Sequence, residues 1–137
     1  MSTTFRRSLD RCLAVVVVAA ALVASAPLLA AELSKEISTA AEHAGYAADA
    51  TILKTAQVHL HHTINCLVGP NGKGFDANEA NPCKAMGNGA IPDSTDAAKK
   101  KLLEEALKSA DAGLATKDLA AAKKAAAGAQ ATLKSAM

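Results

Sequence analysis

The chain has 137 residues, a formal net charge of +2, no tryptophan and only 2% aromatic residues. Every arginine (Arg6, Arg7, Arg11) lies near the N-terminus with Asp10, so the net charge belongs to that end and the remainder is neutral. A neutral, arginine-free domain gives no electrostatic case for nucleic-acid binding, and it lacks the polybasic patch of a membrane-surface binder.

Residues 1–31 have the layout of a secretory signal peptide: the arginines, then an unbroken apolar run from Leu13 to Val23, then small residues ending in Leu29-Ala30-Ala31. The run is short of the about 20 apolar residues that span a bilayer. Ala24-Ser25-Ala26 has the small-residue pattern of a cleavage site, but Pro27 would follow the cut, so cleavage after Ala30 or Ala31 is expected. A retained N-terminal anchor is the alternative. Cys12 precedes the apolar run and is badly placed for a lipoprotein cysteine. The mature chain, 32–137, is expected to be periplasmic or secreted, with no stable membrane insertion after cleavage.

Some 106 residues then remain, enough for one domain with a modest core. Tyr46 and Phe75 are its only aromatic residues, so core volume must come from Ala, Leu, Ile and Val. Leu33, Ile37, Ala40, Ala41, Ala44 and Ala48 recur at helical spacing, with Lys35, Glu36 and Glu42 elsewhere on the wheel. Asp49-Ala50 is a plausible turn, although one long helix through this junction is a live alternative. Leu53, Ala56, Leu60, Ile64 and Leu67 form a second stripe, which Gly69-Pro70 ends. Gly and Pro then punctuate a loop over 69–94, in which Phe75 is expected to tuck against the helices.

Asp93, Ser94 or Thr95 can cap a third helix, whose face carries Ala98, Leu102, Leu103, Ala106, Leu107, Ala110 and Leu114. Thr116 is expected to cap a short turn into a fourth, with Leu119, Ala122, Ala126, Ala129, Leu133 and Ala136 on its face. No β alternation is present. The expected fold is all-α: an antiparallel four-helix bundle of two helical hairpins, with one long disulfide-tied loop.

Cys66 and Cys83 are the only cysteines of the mature chain, and an oxidising compartment favours one disulfide between them. The competing reading is a thiolate metal ligand, with His62 one turn before Cys66. No Cys-x-x-Cys-His run is present for covalent haem, and no Cys-x-x-Cys redox pair.

All four histidines fall in the first hairpin. His59 and His62, at i and i+3, project from one helix face and can share a metal. Folding the chain back at Asp49-Ala50 brings His43 level with His59, at 1.5 Å rise per residue, and Glu36 level with His62. Imidazole and carboxylate ligands suit Cu(II), Ni(II) or Zn(II). The alternative is a solvated helix face that happens to hold imidazoles.

Ala-Glu-His-Ala at Ala41 to Ala44, Lys-x-Ala-x-x-His-x-x-His over Lys54 to His62 and the alanine-rich second hairpin resemble small periplasmic metal-binding helical-bundle proteins. The resemblance implies binding of copper or other divalent ions through histidines facing each other across helices, and His43, His59 and His62 are the positions that carry over. Those proteins are richer in histidine and lack a Cys66–Cys83 loop. The loop itself is similar to that of small bacterial exported proteins, which implies no activity.

Haem is disfavoured: Met86 lies in the loop, Met137 is terminal, and the fourth helix has no histidine. Gly69 to Gly74 lacks the Gly-Lys-Ser/Thr ending of a phosphate loop. Asp76, Asn78 and Asn81 lack the EF-hand glycine and terminal Glu, so turns built on side-chain-to-backbone bonds are expected there instead of a Ca²⁺ site. No nucleophile stands with a base, and no enzymatic activity is expected. The sequence therefore supports a metal-binding module, with Glu36 or Glu42 assisting the histidines. Its competitor is a structural or interaction module whose stapled loop docks a partner.

Overall fold

A computed structural model describes residues 25–137. Residues 1–24, with the charged and apolar parts of the expected export signal, lie outside the described residues. Ser25 to Ala31 begin the first helix. Among the described residues there are five helices and no strand: α1 Ser25–Asp49, α2 Leu53–Val68, α3 Ala90–Asp93, α4 Ala97–Ala115 and α5 Leu119–Ser135. None of them is long and apolar enough to cross a membrane.

The four long helices pack as the apolar stripes require. α1 lies against α2 and α5, and α4 lies against α5 and α2. Their shared core holds Ile37, Leu60, Ile64, Leu67, Leu103 and Leu133, with alanines filling the spaces between. Alanine brings helix backbones close at no side-chain entropy cost, but each one buries little area. Phe75 and Met86 of the loop are partly buried against this core, as expected for Phe75.

The chain breaks between α1 and α2 at Ala50 to Ile52, without Gly, Pro or a side-chain cap. Packing explains the break. Ala50 and Ala56 are buried against Ala122 of α5, which a continuous helix would not allow. At the other end of α2, Gly69 takes φ 67°. Gly89, where the loop returns, takes φ 114°. The two glycines lie backbone to backbone: a Cβ on Gly69 would strike the Asn88 carbonyl, and one on Gly89 would strike the backbone at Val68-Gly69. Only glycine suits both the backbone angle and the approach.

Two boundaries differ from the sequence reading. The loop expected to run to residue 94 contains α3, which starts after Gly89 and carries Pro92 in its first turn, where a missing N–H costs nothing. The cap of α4 is Asp96, whose carboxylate accepts from the Lys99 N–H at 2.7 Å, and not Asp93, Ser94 or Thr95. Asp118 caps α5 in the same way, accepting from the Ala121 N–H at 2.8 Å. Thr116 ends α4 and accepts from the Asp118 N–H through its hydroxyl. Asp96→Ala is expected to cost ~1 kcal/mol, read as a lowered urea midpoint; an unchanged midpoint would show that the cap contributes nothing.

Cys66 and Cys83 are bonded, with Cα atoms 5.2 Å apart, and both are buried. Within the loop they close, Asp76 accepts from the Asn78 N–H at 2.9 Å and Asn81 accepts from the Cys83 N–H at 3.0 Å. These are the side-chain turns expected there.

Candidate metal centre

The site is built from two helices meeting at a turn. His43 stands on α1, six residues before its end at Asp49; His59 stands on α2, six residues after its start at Leu53. Equal distances from the turn set them at one height, and His62 follows on the same face of α2. The helices are locked beside the site by Thr63, which is buried and whose hydroxyl lies 3.0 Å from the His59 carbonyl and 3.4 Å from the Ala40 carbonyl across the interface.

The structure brings the three rings to one focus. The Nδ1 of His43 lies 3.2 Å from Nδ1 of His59 and 3.3 Å from Nδ1 of His62. One ring nitrogen from each histidine lies within 4.8 Å of those of the other two. A single Nδ1 carries either one proton or one lone pair, so His43 cannot make a good hydrogen bond to both neighbours at once. A cation at the focus engages three lone pairs together.

The electrostatics suit that arrangement. Burial, with the charges of His62 and His59 adding to it, pushes the His43 imidazole from its ordinary 6.5 down to about 4. Burial and then His59 also lower His62, against the pull of the Glu79 carboxylate. His43 is therefore neutral near pH 7, the state in which imidazole ligates. Tyr46 covers one side, its ring 5.5 Å from His43 and 5.3 Å from His59, and its hydroxyl bonds to Glu42. Beyond Tyr46 and His59 a shallow open depression, lined also by Asp49, Thr51 and Thr55, gives water access.

The carboxylates fall elsewhere than the sequence suggested. Glu36, expected level with His62 as a fourth ligand, is not brought to the cluster. It lies about 10 Å along α1 from His43 at 1.5 Å per residue. The wheel sets it off the apolar stripe of α1, yet it is fully buried. Its Oε1 accepts from the Gly89 N–H at 3.1 Å, and its Oε2 has no hydrogen-bond partner. Burial pushes its carboxyl up to about 7; the Gly89 bond opposes the rise, while Asp93 and Glu32 add to it. Glu36 thus belongs to the docking of the α3 segment. Glu42 is exposed and committed to Tyr46.

The carboxylate that does reach the histidines is Glu79, with Oε2 3.9 Å from Nε2 of His62. Its neighbour Asp76 stands 3.6 Å from Nδ1 of His61. Sequence reasoning passed over Glu79 and took Asp76 for a turn residue; the one signal was that they are the only acidic residues between Cys66 and Cys83. No family model, curated protein or solved structure matches this chain.

Proposed function

We propose that this chain is an exported protein, folded as an antiparallel four-helix bundle, that binds one divalent transition-metal ion, Zn(II), Cu(II) or Ni(II), through His43, His59 and His62. The role is binding, not catalysis. The closed ring of neighbours α1–α2–α4–α5, with short connections at α1–α2 and α4–α5, supports the bundle. The leader-like N-terminus and the Cys66–Cys83 bond support an oxidising, exported setting.

The single observation that carries the metal reading is the convergence of three Nδ1 atoms. At the usual Zn–N distance of about 2.05 Å, neighbouring ligands of a tetrahedral ion lie about 3.3 Å apart; cis ligands of a square-planar or octahedral ion at the same bond length lie about 2.9 Å apart. The separations of 3.2 and 3.3 Å around His43 match the tetrahedral edge. Imidazole donors suit Zn(II), Cu(II) and Ni(II) alike. Three protein ligands leave a fourth position for water.

The test is calorimetry on the metal-free protein with Zn(II), Cu(II) and Ni(II). Zinc is expected to bind with micromolar or tighter affinity, and His43→Ala is expected to weaken it on the order of 100-fold. Zinc at a hundred times its Kd is expected to add about 2.7 kcal/mol of stability. No binding of any of the three ions overturns the reading.

A further inference from the structure

Among the described residues, His62 is the one ligand of the cluster with a carboxylate within 4 Å of a ring nitrogen. Its Nδ1 faces His43 at 3.3 Å, and its Nε2 faces Glu79 at 3.9 Å. The two nitrogens are separate donor positions of one ring, and Glu79 stands at the one that does not face His43. Its carboxylate lies 3.9 Å from the nitrogen that carries the ring proton when Nδ1 holds a metal. We propose that Glu79 is a positioning residue for the metal centre: it accepts from the His62 Nε2–H and so holds His62 in the tautomer that presents the Nδ1 lone pair to zinc. This rests on the metal reading above and adds to it the residue that orients a ligand.

The fold delivers Glu79 by specific ties. Asn65, one helical turn after His62, is buried and spends its side chain on the loop. Its amide donates to the Asp76 carbonyl at 3.0 Å and the Ala80 carbonyl at 3.1 Å, and its oxygen accepts from the Asp76 N–H at 2.9 Å. That clamp holds both ends of the 76–80 segment against α2, with Glu79 inside it. Cys66, the next residue of α2, holds the same loop through Cys83. One turn of α2 thus carries a metal ligand, a loop clamp and a loop staple, and the loop returns a carboxylate to the ligand.

The chemistry rewards this placement. Neutral imidazole that gives its Nδ1 lone pair to a metal must carry its proton on Nε2, and coordination makes that N–H a stronger donor. A carboxylate there fixes ring orientation and raises ligand basicity. The gap of 3.9 Å is longer than a hydrogen bond, and it closes with about 1 Å of movement by a half-exposed side chain. Asp76 does not compete for the role, because it faces Nδ1 of His61.

The experiment measures zinc affinity by chelator competition in the oxidised full-length mature protein, for wild type, Glu79→Gln, Glu79→Leu and His43→Ala. Gln keeps a weaker acceptor of the same shape, and Leu removes it. The expected order is wild type tightest, Gln weaker, and Leu weakest, with Leu losing about tenfold to 100-fold. The melting temperature of the metal-free variants is expected to stay within about 2 °C of wild type, because Glu79 is a half-exposed loop residue. Nitrogen-15 NMR of the zinc-loaded wild type is expected to show His62 protonated at Nε2 and metal-bound at Nδ1. If Glu79→Leu binds zinc within about twofold of wild type while His43→Ala has lost it, this inference fails and the metal reading stands. A His62 found protonated at Nδ1 also overturns it. If wild type binds no zinc, the metal reading fails and takes this inference with it.

Discussion

In metal-free protein, Glu36→Gln is expected to gain stability relative to wild type by roughly 3 kcal/mol as the pH rises from 4.5 to about 7, with a constant difference outside that window. The sign follows from proton counts. Below its ordinary 4.5 the Glu36 carboxyl is protonated in both folded and unfolded chains, and it contributes nothing to the pH slope. Between 4.5 and about 7 the unfolded chain has released the proton and the folded chain still holds it. Raising the pH in this range therefore favours unfolding. Above about 7 both states are ionised, and the folded chain carries a buried carboxylate.

Glutamine keeps the acceptor for the Gly89 N–H and removes the proton. The slope of the difference, and not its absolute level, isolates the effect, because the new amide replaces an oxygen that had no partner. Wild type alone would hide it. His43, lowered from 6.5 to about 4, has stability present above 6.5 and lost as the pH falls through about 4, which opposes Glu36 over most of the same range. Urea denaturation of both proteins across this range is the measurement. Parallel stability curves would mean that Glu36 ionises as an ordinary surface carboxylate.

Removing the disulfide is the second large effect. Cys66→Ala/Cys83→Ala is expected to lose about 3 kcal/mol, the loop-closure entropy of a cross-link of this span. The cysteines are 17 residues apart in sequence and both are buried. For a domain of this size that corresponds to a fall in melting temperature on the order of 15 °C. The loss enters mainly through the unfolded chain, since the Asn65 clamp and the Gly69–Gly89 contact still hold the loop in the folded one. Calorimetric melting of oxidised wild type against the double variant decides it. Midpoints within about 2 °C would mean that the loop is as constrained without the bond as with it.

Much of the architecture was legible because it depends on short-range rules. Ile37, Ala40, Ala41 and Ala44 on α1 and Ala122, Ala126, Ala129 and Leu133 on α5 are buried where a period of 3.6 places them. Gly69 ends α2 as read. The cap of α4 was misplaced from Asp93 to Thr95 because that short run offers several residues of cap chemistry, and only the packing of α3 selects Asp96. Glu36 was misread because a helical wheel shows a direction but not what arrives there. The surface that would have kept Glu36 wet is taken by Gly89 and the α3 segment.

The histidine site divides along the same line. His43, His59 and His62 could be brought together on paper because two helices joined by a short turn have matching rises. Glu79 could not, because its position depends on a loop with no period, set by Asn65, Cys66 and two glycines meeting backbone to backbone. By itself the sequence determined the four long helices, their buried stripes, the balance of charge outside the N-terminal arginines and the pairing of Cys66 with Cys83, since periodicity acts locally and composition through counting. Only the tertiary structure decided whether residues 33–67 form one helix or two, which carboxylate lies buried and which one stands near His62. Each of those depends on a group far away in sequence occupying space that water would otherwise fill.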